Sequence, residues 1–253
     1  MILDKFKLTG KSALVTGSSR GLGAAIAVAL AQAGANVAVH GSAAAPKATQ
    51  HKLEAIGVQS VALVGDVGEA AVCTRLVEET VHQFGTIDIL VNNAGIIRRA
   101  PAVDYSDEDW QALIAVNLNS VFRLTQHAGR HMLKHGSGKI INIASLLTFQ
   151  GGIMVPAYAA AKGGVGQLTK AFANEWAAKG VNVNAIAPGY MDTDNTEALK
   201  KNPERARQIL ERIPAGRWGH PDDLAGAAVF LASAASDYMH GHVLVVDGGW
   251  LNR

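Results

Sequence analysis

Ser12-Ala-Leu-Val15 runs straight into Thr16-Gly17-Ser18-Ser19-Arg20-Gly21-Leu22-Gly23, and the alanine-rich stretch Ala24 to Ala33 follows without a break. A short apolar strand, a turn with three glycines and a helix in immediate succession form one βα unit. Glycines there permit a tight turn and let backbone N–H groups at a helix N-terminus approach a pyrophosphate. The spacing is Gly-x3-Gly-x-Gly, so Gly17, Gly21 and Gly23, with Ser19, Arg20 and Leu22 between them, are candidates for holding a dinucleotide.

The same alternation continues outward. Ser12 to Val15, Asn36 to Val39, Val58 to Val64, Ile87 to Val91, Lys139 to Ile143, Asn182 to Ile186 and Val243 to Val246 read as strands. Helical periodicity fills Gly21 to Ala33, Pro46 to Ile56, Glu69 to Phe84, Asp107 to His135, Pro156 to Lys179 and Pro221 to Ala232. Strands apolar on both faces and joined by crossover helices predict a doubly wound, Rossmann-type α/β fold: a parallel seven-stranded sheet with helices on both faces, one domain over 1–253. Ligands of such sheets sit beyond the carboxyl ends of the strands. The charged segment from Tyr190 to Pro221 breaks the alternation and is expected to form a lid over that crevice, around 190–220.

The 253 residues are 49% hydrophobic, enough for one full core, and 23 basic against 21 acidic side chains are interspersed along the chain. That balance shows neither a nucleic-acid stripe nor a polybasic membrane patch, so the expected partners are a small-molecule substrate and further copies of the chain. The single cysteine, Cys73, excludes an intrachain disulfide and fits a reducing compartment. No apolar run is long enough for a membrane span, and a cytoplasmic location is expected.

An acid about twenty residues beyond the Gly-rich turn would accept from the adenosine ribose 2′-OH and repel a 2′-phosphate. None stands there: the second strand ends Ala38-Val39-His40-Gly41-Ser42. Arg20 could pair with a 2′-phosphate, which favours NADP(H), while Ser42 with His40 could serve an unphosphorylated ribose and leaves NAD(H) open.

Further motifs follow the strands in order: Asp66-Val67, Asn92-Asn93-Ala94-Gly95, Ser145, Tyr158-Ala-Ala-Ala-Lys162 and Pro188-Gly189. Together with Thr16 and the Gly-rich turn, this set resembles the short-chain dehydrogenase/reductase family over essentially the whole chain. The resemblance implies Asn117, Ser145, Tyr158 and Lys162 as the catalytic group. It also implies that Asp66 accepts from the adenine amino group, Val67 packs on the ring, and Asn93-Ala94-Gly95 runs along the adenosine ribose. Met191 and Thr193, beyond Pro188 and Gly189, would hold the nicotinamide end, and the assembly would be a homotetramer.

Tyr158 and Lys162 are four apart, so one helix face presents both. A tyrosine with a pKa of about 10 exchanges protons poorly at neutral pH, and a nearby ammonium would stabilise its phenolate. By resemblance Lys162 also binds the nicotinamide ribose, Ser145 bonds the substrate oxygen, and Asn117 holds a water in a proton relay.

On the substrate side, Ile96-Ile97-Arg98-Arg99 places two cations where the mouth should open, and a carboxylate is their natural partner. Gln150 could hydrogen-bond a hydroxyl. Met1-Ile2-Leu3, Gly95 to Arg99, Phe149 to Ile153, Ala187 to Met191 and Ile213 to Gly219 resemble the sugar-acid branch of the family that includes the 2-deoxy-D-gluconate 3-dehydrogenases, implying a keto-deoxy sugar acid. Gluconate 5-dehydrogenase and 3-oxoacyl carrier-protein reductase chemistry are the competing readings. A dinucleotide-binding regulator without catalysis is a third, opposed by the intact Tyr158 group. His127, His131 and His135 recur every four residues, but no metal is assigned to them. The apolar ending Val243 to Trp250 fits a terminal strand, a subunit contact, or both.

Overall fold

The computed structural model describes every residue from Met1 to Arg253. Its first half runs β1 (Ser12–Val15), α1 (Gly21–Gln32), β2 (Asn36–Gly41), α2 (Lys47–Ile56), β3 (Ser60–Val64), α3 (Ala70–Phe84) and β4 (Ile89–Asn92). Then come α4 (Asp107–Ile114), α5 (Ser120–His135), β5 (Gly138–Ile143), α6 (Pro156–Trp176), β6 (Val181–Pro188), α7 (Asp194–Lys200), α8 (Pro203–Arg212), α9 (Ala225–Ala232) and β7 (Val243–Val246). The strands form one seven-stranded sheet in the order β3-β2-β1-β4-β5-β6-β7, every neighbouring pair parallel. This is the Rossmann-type, doubly wound fold that the alternating pattern predicts.

Strands β1, β4 and β6 are buried from end to end because helices cover both faces. Alternate residues feed two cores. Ala13, Val15, Ile89 and Val91 pack with Ile26 and Leu30 of α1 and with Leu231 of α9. Leu14, Leu90 and Ile140 pack on the other face with Leu76 of α3 and Leu124 and Met132 of α5. Strand order reverses between β1 and β4, opening a crevice at their carboxyl ends.

One element differs from the sequence pattern. The single helix expected over Asp107 to His135 is interrupted by a wide π turn at Ala115–Asn119 between α4 and α5. Asn117 sits in that turn fully buried, its side-chain amide engaged by the Ile96 backbone, so the helix yields to a tertiary contact. The charged segment 190–220 holds two short helices, α7 and α8.

The apolar sheet contains one polar seam. Asn92 Nδ2 donates to Asn142 Oδ1 (2.8 Å) and Thr125 Oγ1 (3.0 Å), and Asn142 Nδ2 donates to Thr169 Oγ1 (2.9 Å), all fully buried. Asn142→Ala removes both of its bonds and opens a cavity, so unfolding in guanidinium chloride should show a loss of about 2–3 kcal/mol. An unchanged midpoint would mean that the seam carries no net stability.

Candidate active site

The Gly-rich turn is held from three sides. Thr16 Oγ1 accepts from the N–H groups of Asn93 (3.0 Å) and Ala94 (3.1 Å), and Asn93 Nδ2 donates to the carbonyls of Thr16 and Gly17 (both 2.9 Å). Gly17 has φ +63°, and a side chain on it would lie 2.8 Å from Ala94 Cα. A methyl on Gly23 would collide with Asn93 Nδ2 and the Gly17 carbonyl. The loop is therefore pressed onto the end of β4, next to the crevice. Helix α1 begins at Gly21 with no side-chain cap and no acid in its first turn, so its leading N–H groups are free for an anion. Thr193, at the start of the 190–220 segment, faces Gly21 across this opening.

Three of the residues expected to touch the dinucleotide do something else with their side chains. His40 is buried, and its Nδ1 accepts from the Gly17 N–H (3.1 Å), so the proton lies on Nε2, which donates to the Gly65 carbonyl (2.8 Å). Both nitrogens are spent bracing the Gly-rich turn against the end of β3, which leaves none for a ribose, and burial lowers the ring's pKa. The Val67 side chain lies in the core with Leu76 and Cys73 rather than open to a ring. Met191 is likewise buried in the core, where its backbone bridges to Gly219.

The other cofactor candidates lie at the crevice rim. Asp66 is exposed and accepts from the Gly68 N–H (2.8 Å). Ser42 is exposed just past β2, Ser19, Arg20 and Gly95 are exposed, and Leu22, Ala94 and Gly189 are partly so. Pro188 is the buried last residue of β6. Arg20 Nε forms an ion pair with Asp194 Oδ2 (2.6 Å), tying the turn to α7.

Ser145 lies two residues beyond β5 and accepts from the Leu147 N–H (3.1 Å), capping a short turn toward α6. Tyr158 and Lys162 lie one turn apart on α6, with Lys162 Nζ 5.7 Å from the Tyr158 ring centre. Burial raises the Tyr158 phenol above its ordinary value, opposed by a hydrogen bond with Ser145 and by the charge of Arg99. Lys162 stands beside this phenol, as the spacing of the two residues predicts. It is itself buried, with its pKa pushed down to about 8, and its ammonium donates to the Ile143 carbonyl (2.5 Å).

Asn117 is bound to Ile96 at both ends of its amide, accepting from Ile96 N–H and donating to Ile96 O (each 2.8 Å). It thereby fixes the stretch leading to Arg98 and Arg99. Those arginines separate: Arg98 pairs loosely with Asp109 on α4 (3.6 Å), while Arg99 donates to the Asn195 carbonyl on α7 (3.1 Å), and its charge favours the Tyr158 phenolate. Gln150 Oε1 accepts from the Trp250 indole N–H (3.2 Å).

With this geometry in place, the chain's similarity to known proteins is informative. Residues 17–251 match a family model described as Enoyl-(Acyl carrier protein) reductase. The chain belongs to the short-chain dehydrogenase/reductase family. It is 55% identical over 99% of its length to 2-dehydro-3-deoxy-D-gluconate 5-dehydrogenase of Bacillus subtilis, covering 98% of that protein. A solved structure from Agrobacterium tumefaciens, described as a 2-deoxy-D-gluconate 3-dehydrogenase with bound NADP, is 53% identical with a TM-score of 0.92, over 99% of this chain and 100% of that one. The gluconate 5-dehydrogenase of Burkholderia cenocepacia, solved with NADP and tartrate, is 43% identical with a TM-score of 0.94, each chain covered completely.

As a short-chain dehydrogenase/reductase, this chain is an NAD(P)-dependent oxidoreductase acting on CH–OH groups. No helix is long and apolar enough to cross a membrane. The three periodic histidines face different partners: His127 meets Thr74 (3.0 Å), His131 meets Glu78 (3.4 Å), and His135 bonds the His131 carbonyl of its own helix (2.7 Å). Cys73 is buried in α3 with its thiol pushed up to about 11 by desolvation. Sequence reasoning missed Ser18, whose hydroxyl donates to Val15 O (2.8 Å) and accepts from His40 N–H (2.8 Å). It also missed the cluster of Tyr190, Trp218 and Trp250 under α8, for which scattered aromatics gave no local pattern.

Lys162 makes the free enzyme's stability depend on pH. Its pKa is near 8 when folded against about 10.4 in an unfolded chain, so between those values the unfolded chain binds more protons and stability rises with pH. Below pH 8 the buried charge is a standing cost. Lys162→Met should raise the cofactor-free melting temperature at pH 7, the gain shrinking as pH climbs from 8 to 10.5, in thermal melts across that window. A gain independent of pH would assign the effect to packing instead.

Proposed function

We propose that the protein interconverts a ketone and a secondary alcohol on a keto-deoxy sugar acid such as 2-keto-3-deoxygluconate or 2-deoxygluconate, using NADP(H) in preference to NAD(H). The observation that carries this reading is Arg99. It donates to the Asn195 carbonyl at the start of α7, and its positive charge favours the Tyr158 phenolate, so a substrate carboxylate held there would bring the rest of the acid towards the proton donor. The relatives named for gluconate-type acids, and the NADP and tartrate bound in the Burkholderia protein, support the same substrate and cofactor class.

The nicotinamide, when bound, supplies or takes the hydride. The Gly17–Gly23 turn and the leading N–H groups of α1 would hold its pyrophosphate, with Asp66 at the adenine, Asn93-Ala94-Gly95 along the ribose, and Gly189 and Thr193 towards the nicotinamide end. Arg20, on the open rim, would pair with the 2′-phosphate. In the reductive direction Ser145 Oγ donates to the substrate carbonyl and Tyr158 Oη delivers the proton. Bringing a tyrosine down by ~3 units takes about 4 kcal/mol, close to one unit charge at ~4 Å in an effective dielectric near 20. Lys162, one helical turn away, and Arg99 are the cations that would contribute to it. Asn117, through Ile96, fixes the loop that presents Arg99, and α7 and α8 act as the lid.

We further infer a cytoplasmic homotetramer. Phe122 on α5 is 42% exposed and stacks on Phe172 of α6 (6.0 Å between centres), leaving an aromatic step for a second copy to cover.

Reduced-nicotinamide absorbance with keto-deoxy sugar acids beside a 3-oxoacyl thioester tests the substrate reading; turnover of the thioester alone would overturn it. Tyr158→Phe should lower kcat by at least about a hundredfold with cofactor affinity retained. Arg99→Ala should raise KM for an acid about tenfold or more over a neutral analogue, and Arg98→Ala should do so far less. Equal effects on acid and neutral substrates would remove the carboxylate role.

A further inference from the structure

An indole N–H can only donate, so the Gln150 atom facing Trp250 is the amide oxygen and the amide orientation is fixed. Gln150 is half-buried, and its amide nitrogen has no partner within the protein. The sequence five residues before it ends in Ser145, and the intervening loop is fastened to α6, with Thr148 Oγ1 accepting from Ser145 N–H (3.3 Å) and donating to the Lys162 carbonyl (2.9 Å). Gln150 thus stands on the same braced loop as the serine of the catalytic group.

Trp250 is itself held from two further elements. The Arg212 guanidinium, at the end of α8, lies 4.0 Å over its ring, and Tyr190, just past β6, packs at 4.6 Å. Asp247 caps the turn that carries it, accepting from the N–H groups of Gly249 and Leu251 (each 2.8 Å). One side chain near the C-terminus therefore joins the β5 loop, the β6 loop and the lid helix.

We propose that Trp250 is a positioning residue for substrate selection: it holds Gln150 with its amide N–H groups turned outward, so this wall of the site offers donors only and selects a substrate oxygen that accepts. The inference rests on the sugar-acid reading above and refines it. The oxygen met by Gln150 is an acceptor of the acid, either a carboxylate or carbonyl oxygen or a hydroxyl accepting through its lone pair. Because Arg212 stacks on the same ring, displacement of α8 would disturb the orientation of Gln150, which links lid position to substrate choice.

Three variants test this by steady-state kinetics with NADPH and 2-keto-3-deoxygluconate. Trp250→Phe keeps an aromatic ring for Arg212 and Tyr190 but removes the N–H; KM for the acid should rise about fivefold with kcat and KM for NADPH nearly unchanged. Gln150→Glu can still accept from Trp250 but presents an oxygen in place of the NH2 group, and its KM should rise at least as far as that of Gln150→Ala. In the Gln150→Ala background, Trp250→Phe should add nothing further. A thermal midpoint for Trp250→Phe close to wild type, measured alongside, separates positioning from loss of structure. Unchanged KM in Trp250→Phe, or a Gln150→Glu enzyme that binds the acid as well as wild type, overturns the proposal while leaving the sugar-acid reading intact. A wild-type enzyme that turns over no sugar acid overturns both.

Discussion

The contact on which the site depends is the clasp between Thr16 and the Asn93-Ala94 backbone, returned by the Asn93 amide to Thr16 and Gly17. It lies where strand order reverses, so the neighbouring β1 and β4 are locked at the carboxyl ends that bound the crevice. The Gly-rich turn must come this close for α1 to aim its N–H groups into the opening, and the absence of side chains at Gly17 and Gly23 is what permits it. From the opposite side, His40 and Ser18 complete the brace with ring and hydroxyl rather than with more glycine. The turn is thereby organised before any anion arrives, so little ordering has to be done at binding.

A second framework carries the reacting side chains. The loop after β5 carries Ser145, α6 carries Tyr158 and Lys162, and Thr148 links the loop to the helix through the Lys162 carbonyl. The π turn at Ala115–Asn119 serves neither element directly; it turns the Asn117 amide onto Ile96 and so fixes the approach to Arg99. The two sides of the crevice are joined across the opening by Arg20 with Asp194 and by Arg99 with Asn195.

Much of this was legible in the residues. Period and punctuation located every strand, since strands buried on both faces are nearly uniform in apolar character, and the Tyr158–Lys162 spacing was readable because a helix repeats nearly every four residues. What was not legible depends on distance in sequence. His40 looked like a ribose ligand because it stands at the carboxyl end of β2, yet its ring is spent on Gly17 and Gly65, contacts that no local pattern announces. Val67 and Met191 sit at loop positions suited to a ligand, but a backbone position does not say which way a side chain turns. Arg98 and Arg99 are neighbours in sequence and diverge only because α4 and α7 offer each a different partner. Lys162 could be placed beside Tyr158 by spacing, whereas its burial and its bond to Ile143 required the packed structure.

The amide pair at Asn92 and Asn142 also bears on how the sheet finds its alignment. Those two residues are direct partners in the β4–β5 ladder. Parallel strands made only of valine, leucine and isoleucine can slide past one another at small cost, because each shift replaces one greasy neighbour with another. Here a slip by one position would set Asn92 beside Ile141 or Ile143 and strand two amides in a dry interior. The pair therefore works as an indexing pin at the middle of the molecule. It rejects misaligned pairings while the chain is still assembling, when a slow, long-range parallel sheet is most exposed to them.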